Sequence, residues 1–379
     1  MAFSYYSITR AKKMKVGLLR GPYLRANGVL PWEYLHNHSN IAVTAYASKP
    51  KRFEYSSLNM PVKELFWPEG YSKAVRFALT KLKFPRNLLF DIKQVVNEND
   101  ILHVSENYHL FSYQTAKYCK RKRFFFAQGE NIPHPSSQNS YLIKHIKRFV
   151  NKNAEKITTT TELAKKALIH EGVNDEKIFI VPNATDTNLF TPEPKRTSGT
   201  DLPKELETTF NIIFVGRLSE QKGIPWLLDA FKRIKKEDVR LILIGKNVEH
   251  FNVRHKHIYH IPYVEHQQLP RIYNLADIGI LPSIPTKNNE EQFGQVVHEA
   301  MACGKPTLVT NVGGMPEIVT EKTSFVINYK SPQDIKENIL YFYQNETEKK
   351  RMGQAARQHI EREYTPRIIA NKLKRLYHE

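Results

Sequence analysis

Two hydropathy patterns alternate along the 379-residue chain. Short apolar runs rich in β-branched residues occur at 14–20, Ile41–Ala47, Ile101–Val104, Arg123–Ala127, Lys156–Thr160 and Lys177–Val181. Runs of that length predict buried strands. Between them, apolar residues return at helical spacing near Leu30–His36 and at about 72–97, 108–119, 138–153 and 161–172. Strands alternating with helices predict a parallel, doubly wound α/β sheet, which binds ligands at the carboxyl ends of its strands. The pattern stops at 191–208, a polar stretch with Pro192, Pro194, Gly199 and Pro203 that reads as a linker. A second alternation follows. It predicts strands at Phe210–Val215, Val239–Ile244, His257–Ile261, Ile278–Leu281, Thr307–Thr310 and Ser324–Ile327. Its helices fall at 225–236, 267–275, around Val296–Met301, from Pro316, and over most of 332–379. Two α/β domains in tandem are expected, at 1–190 and 209–361.

Composition supports two cores, since 41% of residues are hydrophobic and 11% aromatic. Only Cys119 and Cys303 are present, which suits a reduced, cytoplasmic protein better than a disulfide framework. The opening segment lacks the order of a secretory signal, and no apolar run is long enough to span a bilayer. Charge changes the picture more. Lys and Arg number 57 against 38 Asp and Glu, a formal charge of +19, and most of the excess lies within residues 1–190. A basic surface there fits nucleic acid, anionic lipid head groups or a phosphorylated substrate, and charge alone does not choose. Two segments, Lys73–Arg86 and Lys144–Lys152, mix cations with large apolar residues at helical spacing, as interfacial helices do and as ordinary helices of a basic protein also can. A protein peripheral to the inner face of a membrane is one expectation.

Chemistry concentrates in the second alternation. After Phe210–Val215 comes Gly216-Arg217-Leu218-Ser219-Glu220-Gln221-Lys222-Gly223, a glycine-bounded loop with two cations. An Arg fork and a Lys point charge at a strand's carboxyl end can neutralise a diphosphate, or can simply be solvated. After Ile278–Leu281 the chain reads Glu291-Gln292-Phe293-Gly294-Gln295-Val296-Val297-His298-Glu299-Ala300-Met301, placing one acid before a helix and one within it. Gly294 lets a ligand approach the unpaired N–H groups of the first helical turn, where an anion is favoured. On the same edge, Gly313-Gly314-Met315-Pro316-Glu317 forms a third glycine turn. Cations, a helix dipole and two carboxylates that accept from vicinal hydroxyls suit a nucleoside diphosphate carrying a sugar.

Together with Pro182-Asn183-Ala184-Thr185-Asp186 and Phe190, these motifs resemble the family 4 retaining glycosyltransferases. The resemblance covers the second domain almost end to end and the first more loosely. It implies the GT-B fold, two Rossmann-like domains facing a central cleft, with a C-terminal segment at about 362–379 crossing back to the first. It also implies roles. Arg217 and Lys222 would bind the donor diphosphate and stabilise it as it leaves, Glu291 would hold the transferred sugar, and Glu299 the ribose. Gly216 and the backbone of Phe293, Gly294, Gln295 and Val296 would line the donor. The first domain would hold a saccharide or lipid-linked acceptor, with Gly21, Asn27 and Gly28 in the loop after its first strand, and Glu130 and Asn131, or His134, after Arg123–Ala127. This sequence departs from the family there, since a cleft histidine commonly stands in that segment, and again at Ala184, where glycine is usual. No metal or other cofactor is implied, and no Asp-x-Asp occurs.

Other readings stay open. A sugar-nucleotide epimerase or hydrolase would use the same loops, and a sensor would bind without turnover. A nucleic-acid binding protein would use the charge, but no nucleic-acid module is recognisable and the motifs lie in the less basic half. His298-Glu299 lacks a second histidine at zincin spacing, P-loop and nucleophile-elbow motifs are missing, and Cys303 has no adjacent base.

Overall fold

The computed structural model describes residues 13–82, 84–132, 140–251, 253, 255–287 and 289–379. Among the described residues, thirteen strands fall into two sheets. The first contains β1 (Met14–Gly21), β2 (Ile41–Lys49), β3 (Val62–Phe66), β4 (Ile101–Ser105), β5 (Arg123–Gln128), β6 (Lys156–Thr159) and β7 (Ile178–Ile180), in the order β3-β2-β1-β4-β5-β6-β7. The second contains β8 (Phe210–Val215), β9 (Val239–Ile244), β10 (Ile258–Ile261), β11 (Ile278–Leu281), β12 (Thr307–Thr310) and β13 (Ser324–Ile327), in the order β10-β9-β8-β11-β12-β13. The pairings are parallel, with Val16 opposite Val43 in the first sheet and Ile212 opposite Leu241 and Ile278 in the second. Both orders run outward from the first strand, then reverse, the arrangement of a Rossmann-like sheet. In each, the reversal opens a crevice at the carboxyl ends, between β1 and β4 and between β8 and β11.

The strands follow from their composition. β4, β9, β11 and β12 are buried at every position, as strands covered by helices on both faces must be. β3 is the exception the pattern missed. Its sequence Val-Lys-Glu-Leu-Phe buries only Leu65, because it sits at a sheet edge with one neighbour, so no apolar run announces it. The helix expected over 72–97 is two, Lys73–Lys81 and Ile92–Glu98. Pro85 lies between them, and a proline ring clashes with the preceding helical turn. Asn87 and Asp91 then take positive φ of 66° and 61° in the connection.

By contacts the chain forms two compact units. One runs to Ala127 and adds Leu142–Lys156 and Lys374–Glu379. In its interior the Tyr377 hydroxyl accepts from Trp32 Nε1 at 2.8 Å and bonds His103 Nδ1 at 2.7 Å, tying the last helical turn to the first sheet. The other unit comprises Gln128–Tyr141 and Ile157–Leu373. Its core is built on β8, β9 and β11, with Ile212, Leu241, Ile278 and Met301 all fully buried. Leu275, Leu308, Phe342 and Met352 complete it.

Candidate active site

The crevice between β8 and β11 is framed by backbone packing that only glycine permits. Gly223 has φ 75°, and a Cβ there would lie 1.8 Å from the Pro282 carbonyl oxygen. A Cβ on Gly245, after β9, would lie 1.8 Å from the Gly216 carbonyl oxygen. The loops after β8, β9 and β11 therefore touch main chain to main chain. A further bond, Ile284 N–H to Gln221 O at 2.8 Å, closes the β8 loop on the β11 loop.

On this frame the expected charges meet. Ser219 caps the turn Glu220–Lys222, and Lys222 Nζ reaches Glu291 Oε2 at 2.5 Å. The Ser283 hydroxyl donates to the same oxygen at 2.8 Å. Glu291 Oε1 has no partner among the described residues. Arg217 stands exposed in the same loop, also with no partner among the described residues. Half of the predicted cation pair is thus committed to a glutamate and half is open.

The backbone at Glu291 is held as firmly as its side chain. Its carbonyl accepts from Gly314 N–H at 2.9 Å and from Asn131 Nδ2 at 2.7 Å. A Cβ on Gly313 would come within 2.1 Å of that carbonyl, so the double glycine exists to let the two loops touch. Asn131 is buried, and its own Oδ1 accepts from Thr161 Oγ1 at 3.2 Å. Glu317 turns away to cap the Glu162–His170 helix, accepting Glu162 and Leu163 N–H at 2.5 and 2.9 Å.

Gly294 begins the helix Gln295–Ala302 in the left-handed region, φ 64°. Phe293 points inward, buried, with its ring 4.9 Å from that of His298, so only its backbone faces the loop. The Gln295 amide donates to Ala184 O at 3.2 Å and Thr185 Oγ1 at 3.0 Å, and Val296 is half-buried. Glu299 is 3% exposed, and its two oxygens take His266 Nε2 at 3.0 Å and the Tyr273 hydroxyl at 3.1 Å. Burial, then the Glu299 charge, push the Tyr273 phenol well above its ordinary pKa, so it remains a donor. Phe190 lays its ring against both His266 and Tyr273, at 5.2 and 5.9 Å. His298 lies in the core, bonded to Ile318 O at 3.2 Å, and burial lowers its pKa to about 3. The Cys303 thiol is buried and pushed up to about 12.

Sequence reasoning missed Ser283, His266 and Tyr273. None carries a spacing signal, since His266 and Tyr273 lie 33 and 26 positions before Glu299. Of the residues expected on the acceptor side, Gly21, Asn27 and Gly28 lie in the first unit, and Glu130 and Asn131 in the second. Glu130 is half-buried and accepts from Gln128 Nε2 at 3.5 Å. His134 falls outside the described residues. A concavity of about 570 Å³, lined by Glu193, Arg196, Gly199, Arg271 and Asn274, contains none of the expected site residues.

Residues 202–359 match the family model for glycosyl transferases group 1. By sequence, this part of the chain is related to the group 1 glycosyl transferases. A D-inositol 3-phosphate glycosyltransferase from Paenarthrobacter aurescens is 27% identical over 229 residues, 56% of this chain and 55% of that protein. The chain spans about half the length of the curated relatives it matches. Among solved structures, Anabaena Alr3699/HepE in complex with UDP aligns at TM-score 0.74 and 15% identity, over 96% of this chain and 99% of that one. A putative UDP-N-acetylglucosamine 2-epimerase from Listeria monocytogenes aligns at TM-score 0.63 and 17% identity over 95% of both. These likenesses show the GT-B fold, two parallel Rossmann-like sheets, for this chain.

Proposed function

We propose that the protein is a retaining glycosyltransferase of family 4, moving a hexosyl unit from a nucleoside diphosphate sugar to a saccharide or lipid-linked acceptor without a metal. The observation that carries this is the pairing of Lys222 with Glu291 beside an open Arg217, at the crevice where a doubly wound sheet takes its ligand. A diphosphate entering there meets Arg217 first and competes with Glu291 for Lys222. Negative charge grows on the leaving diphosphate as the glycosidic bond breaks, and cations already in place stabilise it most in the transition state. Glu291 keeps Oε1 for a sugar hydroxyl while Lys222 and Ser283 hold Oε2. Glu299, set in a helix and oriented by Tyr273 and His266, keeps lone pairs for the ribose diol. The backbone of Gly294–Val296 supplies N–H groups to the phosphate. The complexed nucleotide in the Anabaena neighbour supports UDP as the first donor nucleotide to try.

An epimerase on the same fold is the competing reading, because the Listeria neighbour shares it. Incubating the protein with a panel of UDP- and GDP-sugars, with and without saccharide and lipid-linked acceptors and in chelator, separates the two. Glycosylated acceptor with the anomeric configuration kept is the expected product. A new free sugar nucleotide formed without acceptor establishes the epimerase, and strict dependence on Mg²⁺ overturns the metal-free mechanism.

A further inference from the structure

Amphipathic helices in a folded protein normally turn their apolar side inward. The helix Lys73–Lys81 buries no residue at all. Its half-buried positions are Arg76 and Leu79, while Ala74, Val75, Phe77 and Ala78 are exposed. Phe77 is 70% exposed, and Leu82, at the helix end, 75%. Arg76 lies under the helix, its guanidinium 5.9 Å from the Trp67 ring, and Arg86 donates to Thr80 Oγ1 at 3.1 Å. Half-buried Arg76 and Leu79 thus mark the inner side, and the exposed Ala74, Val75, Phe77 and Ala78 turn outward. Phe66, Tyr71 and Phe90 form a second exposed group in the same stretch, Phe66 being 5.4 Å from Tyr71 and 5.5 Å from Phe90 between ring centres. The other cation-rich segment behaves differently, since the helix Tyr141–Asn153 buries Ile146 and Val150 and is an ordinary packed helix.

The charge around this face has one sign. From Gly70 to Phe90 the sequence holds Lys73, Arg76, Lys81, Lys83 and Arg86 and no Asp or Glu. Of the two acids that flank this segment, Glu69 is buried and bonds the backbone N–H of Asn87 and Leu88, while Asp91 is exposed next to Phe90. Exposed aromatic and aliphatic side chains on a helix whose only charges are cations complement an acidic lipid surface: the rings enter the head-group region and the cations meet the phosphates. A second protein of this composition would be repelled by a like copy.

We infer that the outward face of the Lys73–Lys81 helix, with Leu82, is a docking surface for an anionic lipid bilayer. Among the described residues no helix is long and apolar enough to cross a membrane, so the contact is interfacial. In purpose this rests on the proposed use of a lipid-linked acceptor. The test is flotation of the full chain with vesicles of phosphatidylcholine alone or with about one-third phosphatidylglycerol. The expected result is binding to the anionic vesicles at least tenfold stronger than to the neutral ones. It should fall at least tenfold in Phe77→Ser/Leu82→Ser and again in Lys73→Gln/Lys81→Gln, with unchanged melting temperature and unchanged turnover of a soluble acceptor. Equal binding of wild type and both variants overturns the inference, as does a dimer seen by ultracentrifugation that the Phe77→Ser/Leu82→Ser change dissociates while vesicle binding persists. Vesicle binding without glycosyl transfer leaves this surface standing and removes the transferase reading instead.

Discussion

The loops that follow the first strand of each sheet occupy the same place in the topology and are built on different principles. After β8, Gly216–Gly223 is pinned by main chain, with Gly223 against the Pro282 carbonyl and Gly245 against the Gly216 carbonyl. After β1, Gly21 has side chains for neighbours: a Cβ there would stand 3.2 Å from Leu89 Cδ1 and 3.3 Å from Phe111 Cε1, and one on Gly28 would meet nothing within 4 Å. Side chains can move aside and a carbonyl in a sheet-end loop cannot. The β8 loop is therefore a rigid seat that holds Lys222 at one distance from Glu291, whereas at the end of β1 it is the left-handed backbone of Gly21, φ 53°, and no main-chain contact that calls for glycine. On the proposed transfer reaction, a seat for the leaving group benefits from such preorganisation.

The most severe way to break the contrast is Gly223→Ala. A methyl group at φ 75° and 1.8 Å from a carbonyl should cost about 3 kcal/mol or more. Thermal unfolding would show it, and a melting temperature equal to wild type would mean that the loops after β8 and β11 are not welded. Next in size, Lys222→Ala should lower transfer by roughly a hundredfold to a thousandfold, the scale of removing one transition-state donor. Its stability should fall too, because the pair is largely buried, 20% and 12% exposed, and Glu291 would lose its cation. Retained turnover would remove Lys222 from the chemistry.

Acid should destabilise both units. Burial lowers His109 in the first unit and His298 in the second to about 3 from an ordinary 6.5. The folded state thus holds both rings neutral while the unfolded chain binds protons. Stability is full above pH 6.5 and declines as pH falls from there towards 3, by about 1 kcal/mol per ring between pH 6.5 and 5.5. Urea titrations across that interval, repeated on His298→Gln, should show a shallower decline in the variant. A parallel decline would mean that His298 is not the buried neutral ring described. The smallest effect belongs to Gly28→Ala. With open space and no positive φ, it should stabilise by about 0.5 kcal/mol through the unfolded chain, and a loss instead would show the β1 loop to be as constrained as its counterpart.

Much of the site was legible before the structure because its parts are local. A glycine-bounded loop after a buried strand, a glycine before a helix and an acid one turn inside it are each written in a few consecutive residues. What failed to show was whatever depended on a neighbour far along the chain. β3 went unseen since an edge strand buries one side chain in five. Asn131 read as a residue of the acceptor side, yet its amide grips Glu291 and Gln292 carbonyls, 160 and 161 positions away. The outward-facing apolar side of the Lys73–Lys81 helix was equally hidden, because periodicity shows that a helix has an apolar side but not which way it turns.

By itself the sequence determined two parallel α/β sheets in tandem and the loops that carry cations and carboxylates at strand ends. Those depend on hydrophobic period and on glycine's access to positive φ, both short-range properties. Tertiary structure decided the partners: Lys222 and Ser283 on one oxygen of Glu291, His266 and Tyr273 on Glu299, and Arg217 left open. Each of those meetings is fixed by how strands and helices pack, and packing brings together atoms whose separation in sequence carries no record of their distance in space.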